Sequence, residues 1–392
     1  MGKNREFDVV VYGATGFTGR LVAEYLNNQY GVGKDLKWAM AGRSEEKLAA
    51  VRDEMGVPAD VPIVVADASD PASLKAMAER TGVVLTTVGP YQLYGSDVVA
   101  ACVAAGTDYV DLCGEVNWMH TMIAEHGDAA KKSGARIVLS CGFDSIPFDL
   151  GVYFLQEHAK KQLGGVVPRV KTRVREMKGT FSGGTVASFR ATMASVGSDP
   201  SVIEILTNPF ALTEGFKGPD QPAGDKPVHE DDLGMWVAPF VMAPINTRNV
   251  HRSNMLLGHA YGEDFVYDEM MMAGPGEQGE AVAKMIAGDT SMMSDDAPKP
   301  GEGPSKKERE EGMYNVLLIG EAKDGKKINV TVTGDRDPGY GSTSKIIAEA
   351  AVCLAKDDVV EAGGIYTSAP AMGMKLVDRL VANAGLTFDV DA

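Results

Sequence analysis

Over its first 150 residues the chain alternates short apolar runs with stretches of helical period. "DVVVY" (8–12), "KWAMAG" (37–42), "PIVVAD" (62–67), "GVVLTTVGP" (82–90), "DYVDLCGE" (108–115) and "ARIVLSCGFD" (135–144) read as strands. "GRLVAEYLNNQ" (19–29), "EEKLAAVRDEM" (45–55), "DPASLKAMAER" (70–80), "GSDVVAACVAAG" (95–106) and a stretch ending near Ser133 read as helices. Asp70 followed by Pro71 is a helix-start signal. Short strands alternating with longer helices predict βαβ units and a parallel sheet. With right-handed crossovers, this becomes an α/β, doubly wound Rossmann-type sheet.

The pattern changes after about Pro147. "PRVKTRVREMKG" (168–179) places Arg169, Lys171, Arg173 and Arg175 at period two, a strand with one basic face. That face is either a solvated sheet surface or an anion-binding or docking surface. "YNVLLIGEAKDGKKINVTVTGD" (314–335) predicts a hairpin around Asp324-Gly325. "GDTSMMSDDAPKPGEGPSKKEREEG" (288–312) has the composition of a mobile surface loop. Helical period returns from "GSTSKIIAEAAVCLA" (341–355) to "GMKLVDRLVANAG" (373–385). The expected organisation is a dinucleotide-binding domain over 1–150, an inserted α+β domain over 151–339, and a helical segment over 340–392 packing back on the first.

Composition narrows the function classes. The net charge of −16 carries no basic domain or tail, so no nucleic-acid partner is expected. Cys102, Cys113, Cys141 and Cys353 form no CxxC pair and no metal-ligand spacing, which predicts reduced thiols, no metal and a cytoplasmic setting. The opening "MGKNREFDVVVYG" lacks the apolar core of a signal peptide. "MWVAPFVMAPI" (235–245) is too short to span a bilayer, though peripheral membrane contact stays open.

The chemistry starts at "GATGFTG". Gly13, Gly16 and Gly19 follow the first strand and open the first helix. The first permits the turn, the second admits a pyrophosphate and the third lets helix and strand pack closely. Thr15, Phe17 and Thr18 complete the phosphate-binding turn, at a helix end that favours anions. An NAD site would place Asp or Glu at the end of the second strand; here stand Arg43 and Ser44, suited to a 2′-phosphate, so NADP is expected. Asp67 and Ala68 close the third strand, where the adenine would lie. Thr87, Val88, Gly89 and Pro90 close the fourth, where the nicotinamide would arrive.

The same turn occurs in extended short-chain dehydrogenases, whose Tyr-x-x-x-Lys pair could only be Tyr30…Lys34, at the wrong end of the chain. The later motifs point elsewhere. "TTVGPYQLYG" (86–95), "GTDYVDLCGE" (106–115), "SCGFDSIPFDLG" (140–151), "FSGGTVAS" (181–188), "APFVMAPINTRNVHRSNML" (238–256), "DPGYGSTSKIIAEAA" (337–351) and "GGIYTSAPAMGMKLVDRL" (363–380) together resemble the saccharopine dehydrogenase-like oxidoreductases. Within them, the branch of trans-acting enoyl reductases and animal saccharopine dehydrogenase-like proteins is most similar. The resemblance implies a Rossmann domain, an inserted sheet domain often used for dimer contact (hence a homodimer) and NADPH-dependent reduction of a lipid- or carrier-linked enoyl group. An imine-forming amino-acid dehydrogenase and a non-catalytic NADP-binding protein are the alternatives.

An enoyl reductase needs a proton donor beside the hydride. Tyr91 is a candidate donor or nicotinamide-stacking ring, its alternative being a core aromatic. Asp144 is a candidate acid or base, its alternative being the N-cap of the helix near Pro147. Cys113 and Cys141 read as buried apolar thiols. Ser182 to Thr185 can offer N–H groups and a hydroxyl, or form a plain turn. Arg248 and Arg252 are candidate cations for an acidic substrate or carrier, with surface arginine as the default. Met235, Met242, Met255, Met270, Met271, Met272 and Met285 can line an adaptable apolar mouth or fill a core. The six histidines form no cluster and receive no role.

Overall fold

The computed structural model describes residues 5–33, 35–299, 301–360 and 362–391; Lys34 of the Tyr30…Lys34 spacing lies outside them. The first third is β1 (Phe7–Tyr12), α1 (Phe17–Tyr30), β2 (Trp38–Gly42), α2 (Glu45–Glu54), β3 (Ile63–Val65), α3 (Pro71–Arg80) and β4 (Thr81–Thr86). It continues with α4 (Tyr91–Tyr94), α5 (Ser96–Ala105), β5 (Asp108–Val110), α6 (Val116–Ser133) and β6 (Arg136–Val138). The middle holds α7 (Ile146–Gln162), β7 (Arg169–Lys178), α8 (Gly183–Ser198), α9 (Ser201–Thr207), β8 (Val228–Glu230), β9 (Met235–Pro239), α10 (Ala243–Leu256), β10 (Val266–Gly274) and α11 (Gly276–Ala287). Then come α12 (Lys306–Glu311), β11 (Met313–Glu321), β12 (Lys327–Gly334), α13 (Thr343–Lys356), β13 (Gly364–Tyr366), α14 (Ser368–Arg379) and β14 (Leu386–Val390).

The first sheet is wholly parallel, in the order β13-β6-β5-β4-β1-β2-β3. Its strands are apolar on both sides because both faces are covered. Val9 and Val11 of β1 join the core that includes α13, whereas Val10 and Tyr12 join the core built with α3, α5 and α6. The second sheet is mixed, in the order β14-β12-β11-β7-β10-β9-β8, with only β7 and β10 parallel. Its inner face, including Val170, Val174, Val316 and Leu318, shares one core with α7, α13 and α14. Those helices therefore form a layer between the two sheets.

The basic period-two face of β7 is the outer face, and neighbouring acids neutralise it. Arg169 pairs with Asp268, Lys171 with Asp232, Arg173 with Glu230 and Asp268, and Arg175 with Asp391. Arg173 is 1% exposed, so the simple solvated-face picture fails there. The stretch 340–392 is more than helical. It gives β13 to the edge of the first sheet and β14 to the edge of the second. The 288–312 segment lies mostly exposed over 288–299, as a surface loop would, but its later part is tied down. Ser305 and Glu308 form a reciprocal cap for α12, Pro304 is buried, and a Cβ on Gly303 would lie 2.6 Å from the Phe17 ring. Absence of a side chain at Gly303 lets this backbone lie flat on Phe17.

Candidate active site

The carboxyl ends of the first sheet carry the glycine turn. Gly13 has φ +89°, and a Cβ there would lie 2.6 Å from Val88 Cγ2. A Cβ on Gly19 would lie 2.2 Å from the Gly13 carbonyl. Both glycines are demanded by packing within the turn. Gly16 differs: its Cβ would meet only the Gly13 carbonyl, at 3.2 Å, and otherwise open space. Gly16 N-caps α1 without a side-chain bond, and no carboxylate stands in the first helical turn. Among the described residues, the N–H groups of Phe17, Thr18 and Gly19 find no protein acceptor. An open backbone, free donors and the positive end of a helix fit a dinucleotide pyrophosphate.

Around this turn lie the other expected contacts. Thr15 is half-buried beside Gly16. Arg43 is exposed at the end of β2 and makes no hydrogen bond or ion pair among the described residues. Ser44 caps α2, accepting the Lys47 N–H at 3.3 Å. The N–H and hydroxyl of Ser69 hold the Asp67 carboxyl below its ordinary range, with a smaller contribution from Arg43. Ala68 follows on the same half-buried loop. Thr87 donates its hydroxyl to the Gly13 carbonyl at 3.3 Å, tying the fourth strand to the turn. The Gly89–Pro90 peptide is cis, and a Cβ on Gly89 would lie 3.5 Å from Ser188 Oγ of α8. Helix α8 thus covers this strand end.

Tyr91 takes the packing alternative. It is 4% exposed, donates to the Thr86 carbonyl at 3.3 Å, accepts the Leu112 N–H at 3.0 Å, and lies 5.5 Å from the Trp118 ring. Burial pushes its hydroxyl well above the ordinary range. Glu115, which sequence reasoning passed over, caps α4 by accepting the N–H groups of Tyr91 and Gln92 at 2.8 and 2.9 Å. Asp144 does not cap: the N-cap of α7 is Ser145, with no side-chain bond. Its half-buried carboxyl has no hydrogen-bond partner among the described residues, and burial pushes it up to about 6. Asp144 also contributes to raising the buried Tyr340 hydroxyl, after the larger effect of burial. Tyr340 accepts the Ser182 N–H and bonds the Thr185 hydroxyl at 2.9 Å. Asp144, Tyr340, Thr185 and, one helical turn on, Ser188 over Gly89 therefore border one region.

Other candidates lie elsewhere. Arg248 and Arg252 are buried, not surface cations. Arg248 donates to the carbonyls of Pro244 and Leu206, and Arg252 to those of Leu212 and Ile365. Burial lowers Arg248 to about 10. The methionines do not share one wall: Met270 is buried, Met271 joins the inter-sheet core, Met242 touches both cores and Met285 is 69% exposed. Cys113 and Cys141 are buried thiols, raised by burial. The described residues contain no group of three or more His, Cys, Asp or Glu able to hold a metal, and no helix long and apolar enough to cross a membrane.

Residues 9–138 match the saccharopine dehydrogenase NADP binding domain. A Mycobacterium tuberculosis protein with a provisional trans-acting enoyl reductase name is 41% identical, covering 96% of each chain. The chain belongs to the saccharopine dehydrogenase-like oxidoreductases. A trans-acting enoyl reductase of Mycobacterium bovis is 38% identical, again over 96% of each chain. An apo saccharopine dehydrogenase (L-Glu forming) of Saccharomyces cerevisiae shares the fold, with TM-score 0.55 at 12% identity over 98% of this chain and 99% of that one. As a family member the protein is an NADP(H)-binding oxidoreductase, and the free donors of its glycine turn are consistent with that cofactor.

Proposed function

We propose that this saccharopine dehydrogenase-like protein uses NADPH to reduce the C=C bond of an apolar enoyl group carried on a lipid or an acyl carrier. The observation that carries this reading is Asp144, a half-buried carboxyl beside Tyr340 at the ligand edge of the first sheet, with no hydrogen-bond partner among the described residues; burial pushes it up to about 6. Gly13, Thr15, Gly16, Phe17, Thr18 and Gly19 hold the pyrophosphate, and Arg43 with Ser44 the 2′-phosphate. Asp67 and Ala68 border the adenine, and Thr87, Val88, Gly89 and Pro90 the nicotinamide. When bound, NADPH supplies the hydride. Asp144 then protonates the enolate carbon, because a carboxyl of that pKa keeps a protonated fraction near neutral pH. The enoyl reductase names of the relatives support the substrate class. An imine substrate with two carboxylates needs free cations, and Arg248 and Arg252 are engaged by backbone carbonyls.

The test is NADPH consumption across a series of short to long enoyl thioesters, with saccharopine as control. kcat/KM should rise with chain length by up to about 0.8 kcal/mol per buried methylene. A flat profile, or brisk turnover of saccharopine, refutes the proposal.

A further inference from the structure

Phe17, the first helical residue of α1, is gripped by parts of the chain far from it in sequence. The Tyr340 ring stands edge-on to it with centroids 5.1 Å apart, Gly303 lies flat against it, and the Arg309 guanidinium sits 5.7 Å from its centre. Tyr340 is itself fixed, because Asp337 accepts the N–H groups of Tyr340 and Gly341 at 3.0 and 2.7 Å. The other end of the Tyr340 side chain reaches α8. Its hydroxyl accepts the Ser182 N–H and bonds Thr185, while the Glu302 carbonyl accepts the Gly183 N–H at 3.1 Å. Further along, α8 lies over Gly89 through Ser188 and bonds Gln92 through Thr192 and Ser195.

One side chain thus touches the glycine turn with its ring and the start of α8 with its hydroxyl. We propose that Tyr340 is a positioning residue that sets the first turn of α8 against the dinucleotide turn, so that cofactor binding orders the helix covering the nicotinamide end. This rests on the dinucleotide being held at residues 13–19. The ring contact limits how Phe17 can move, and the hydroxyl bonds are directional, so stiffening of the turn is passed to Ser182 and Thr185. Removing the hydroxyl separates the two contacts: Tyr340→Phe keeps the ring on Phe17 and leaves the Ser182 N–H without its acceptor.

The experiment is hydrogen–deuterium exchange by mass spectrometry on the full chain, with and without NADPH, following peptides over 13–20 and 181–190. In the natural protein NADPH should slow exchange in both. Tyr340→Phe should keep its NADPH affinity within about twofold and its slowing at 13–20, yet lose about tenfold of the slowing at 181–190. Thr185→Val, which leaves Tyr340 in place, should lose part of the same protection. Slowing confined to 13–20 in the natural protein, or full slowing at 181–190 in both variants, overturns the coupling alone. Absence of slowing in both peptides refutes the dinucleotide placement as well, and is distinguishable by the first peptide.

Discussion

Replacing Asp144 by Asn should stabilise the protein at high pH while impairing its chemistry. Burial raises the Asp144 carboxyl from 3.8 to about 6, so the folded state binds a proton more tightly than the unfolded chain does. The sign follows from linkage. Folding stability from this group is fully present below pH 3.8 and is lost as pH rises through about 6. Two units at 1.36 kcal/mol each set a ceiling of about 3 kcal/mol, and residual solvent contact screens this toward ~1–2 kcal/mol. Asn resembles the protonated acid and cannot ionise. At pH 8 the variant should therefore be more stable than the natural protein by about 1–2 kcal/mol, with the difference shrinking toward zero as pH falls below 4. Urea unfolding of both proteins from pH 4 to 8, followed by circular dichroism, isolates the term, because other titrating groups cancel in the difference. With enoyl substrate, kcat should fall by roughly a hundredfold or more in the variant, and the limb of the pH profile near 6 should vanish. A pH-independent stability difference, or a variant less stable at pH 8, would refute the buried, unpartnered state of this carboxyl.

Arg43→Ala should weaken NADPH by roughly 1–3 kcal/mol and leave NADH nearly unchanged, because a charge-assisted contact to the 2′-phosphate is lost; equal losses in calorimetric titration would exclude Arg43 from that contact. Gly16→Val should melt near the natural temperature yet bind neither cofactor, because its side chain enters the pyrophosphate space. Gly19→Ala should instead unfold early, since its Cβ would lie 2.2 Å from the Gly13 carbonyl; paired melting and NADPH-fluorescence measurements separate the two, and identical behaviour would count against the open side of the turn. Arg173→Ala leaves Glu230 and Asp268 without their buried cation and should cost about 3–5 kcal/mol in urea unfolding; a loss below about 1 kcal/mol would mean the outer-face ion pairs are individually weak.

The first sheet was legible because strands covered on both faces must be apolar throughout, as in Val9 to Val11. Its run 135–144 was read too long. Only Arg136–Val138 pair as strand, after which Cys141 donates to the Asp111 carbonyl and the chain turns toward the site. β10 was hidden for the opposite reason: Asp268 and Glu269 are buried within it, held by Arg169, Arg173, Asn246 and Tyr267, so it shows no apolar alternation. The burial of Arg248 and Arg252 leaves no mark in the sequence, because backbone carbonyls of α9, α10, β13 and the loop at Leu212 satisfy them, and no residue pattern announces such acceptors. In the site, Gly13 and Gly19 stood out because only glycine tolerates their contacts, and Gly16 because it leaves the turn open. Asp144 was visible as a position, though its lack of a partner was not. Tyr340 escaped notice because its partners Ser182 and Thr185 lie 158 and 155 positions away.

The last strands have a consequence for how the chain is made. β13 closes the edge of the parallel sheet beside β6, and β14, twenty residues further on, closes the edge of the mixed sheet beside β12. A ribosome emits these segments after all the other strands of both sheets, so each sheet waits with an open flank until they follow. Neither half is then a self-sufficient cassette. Shortening the gene before β13 would strip a border from each sheet and uncover unpaired backbone on both, so excised halves should aggregate where the uninterrupted polypeptide matures.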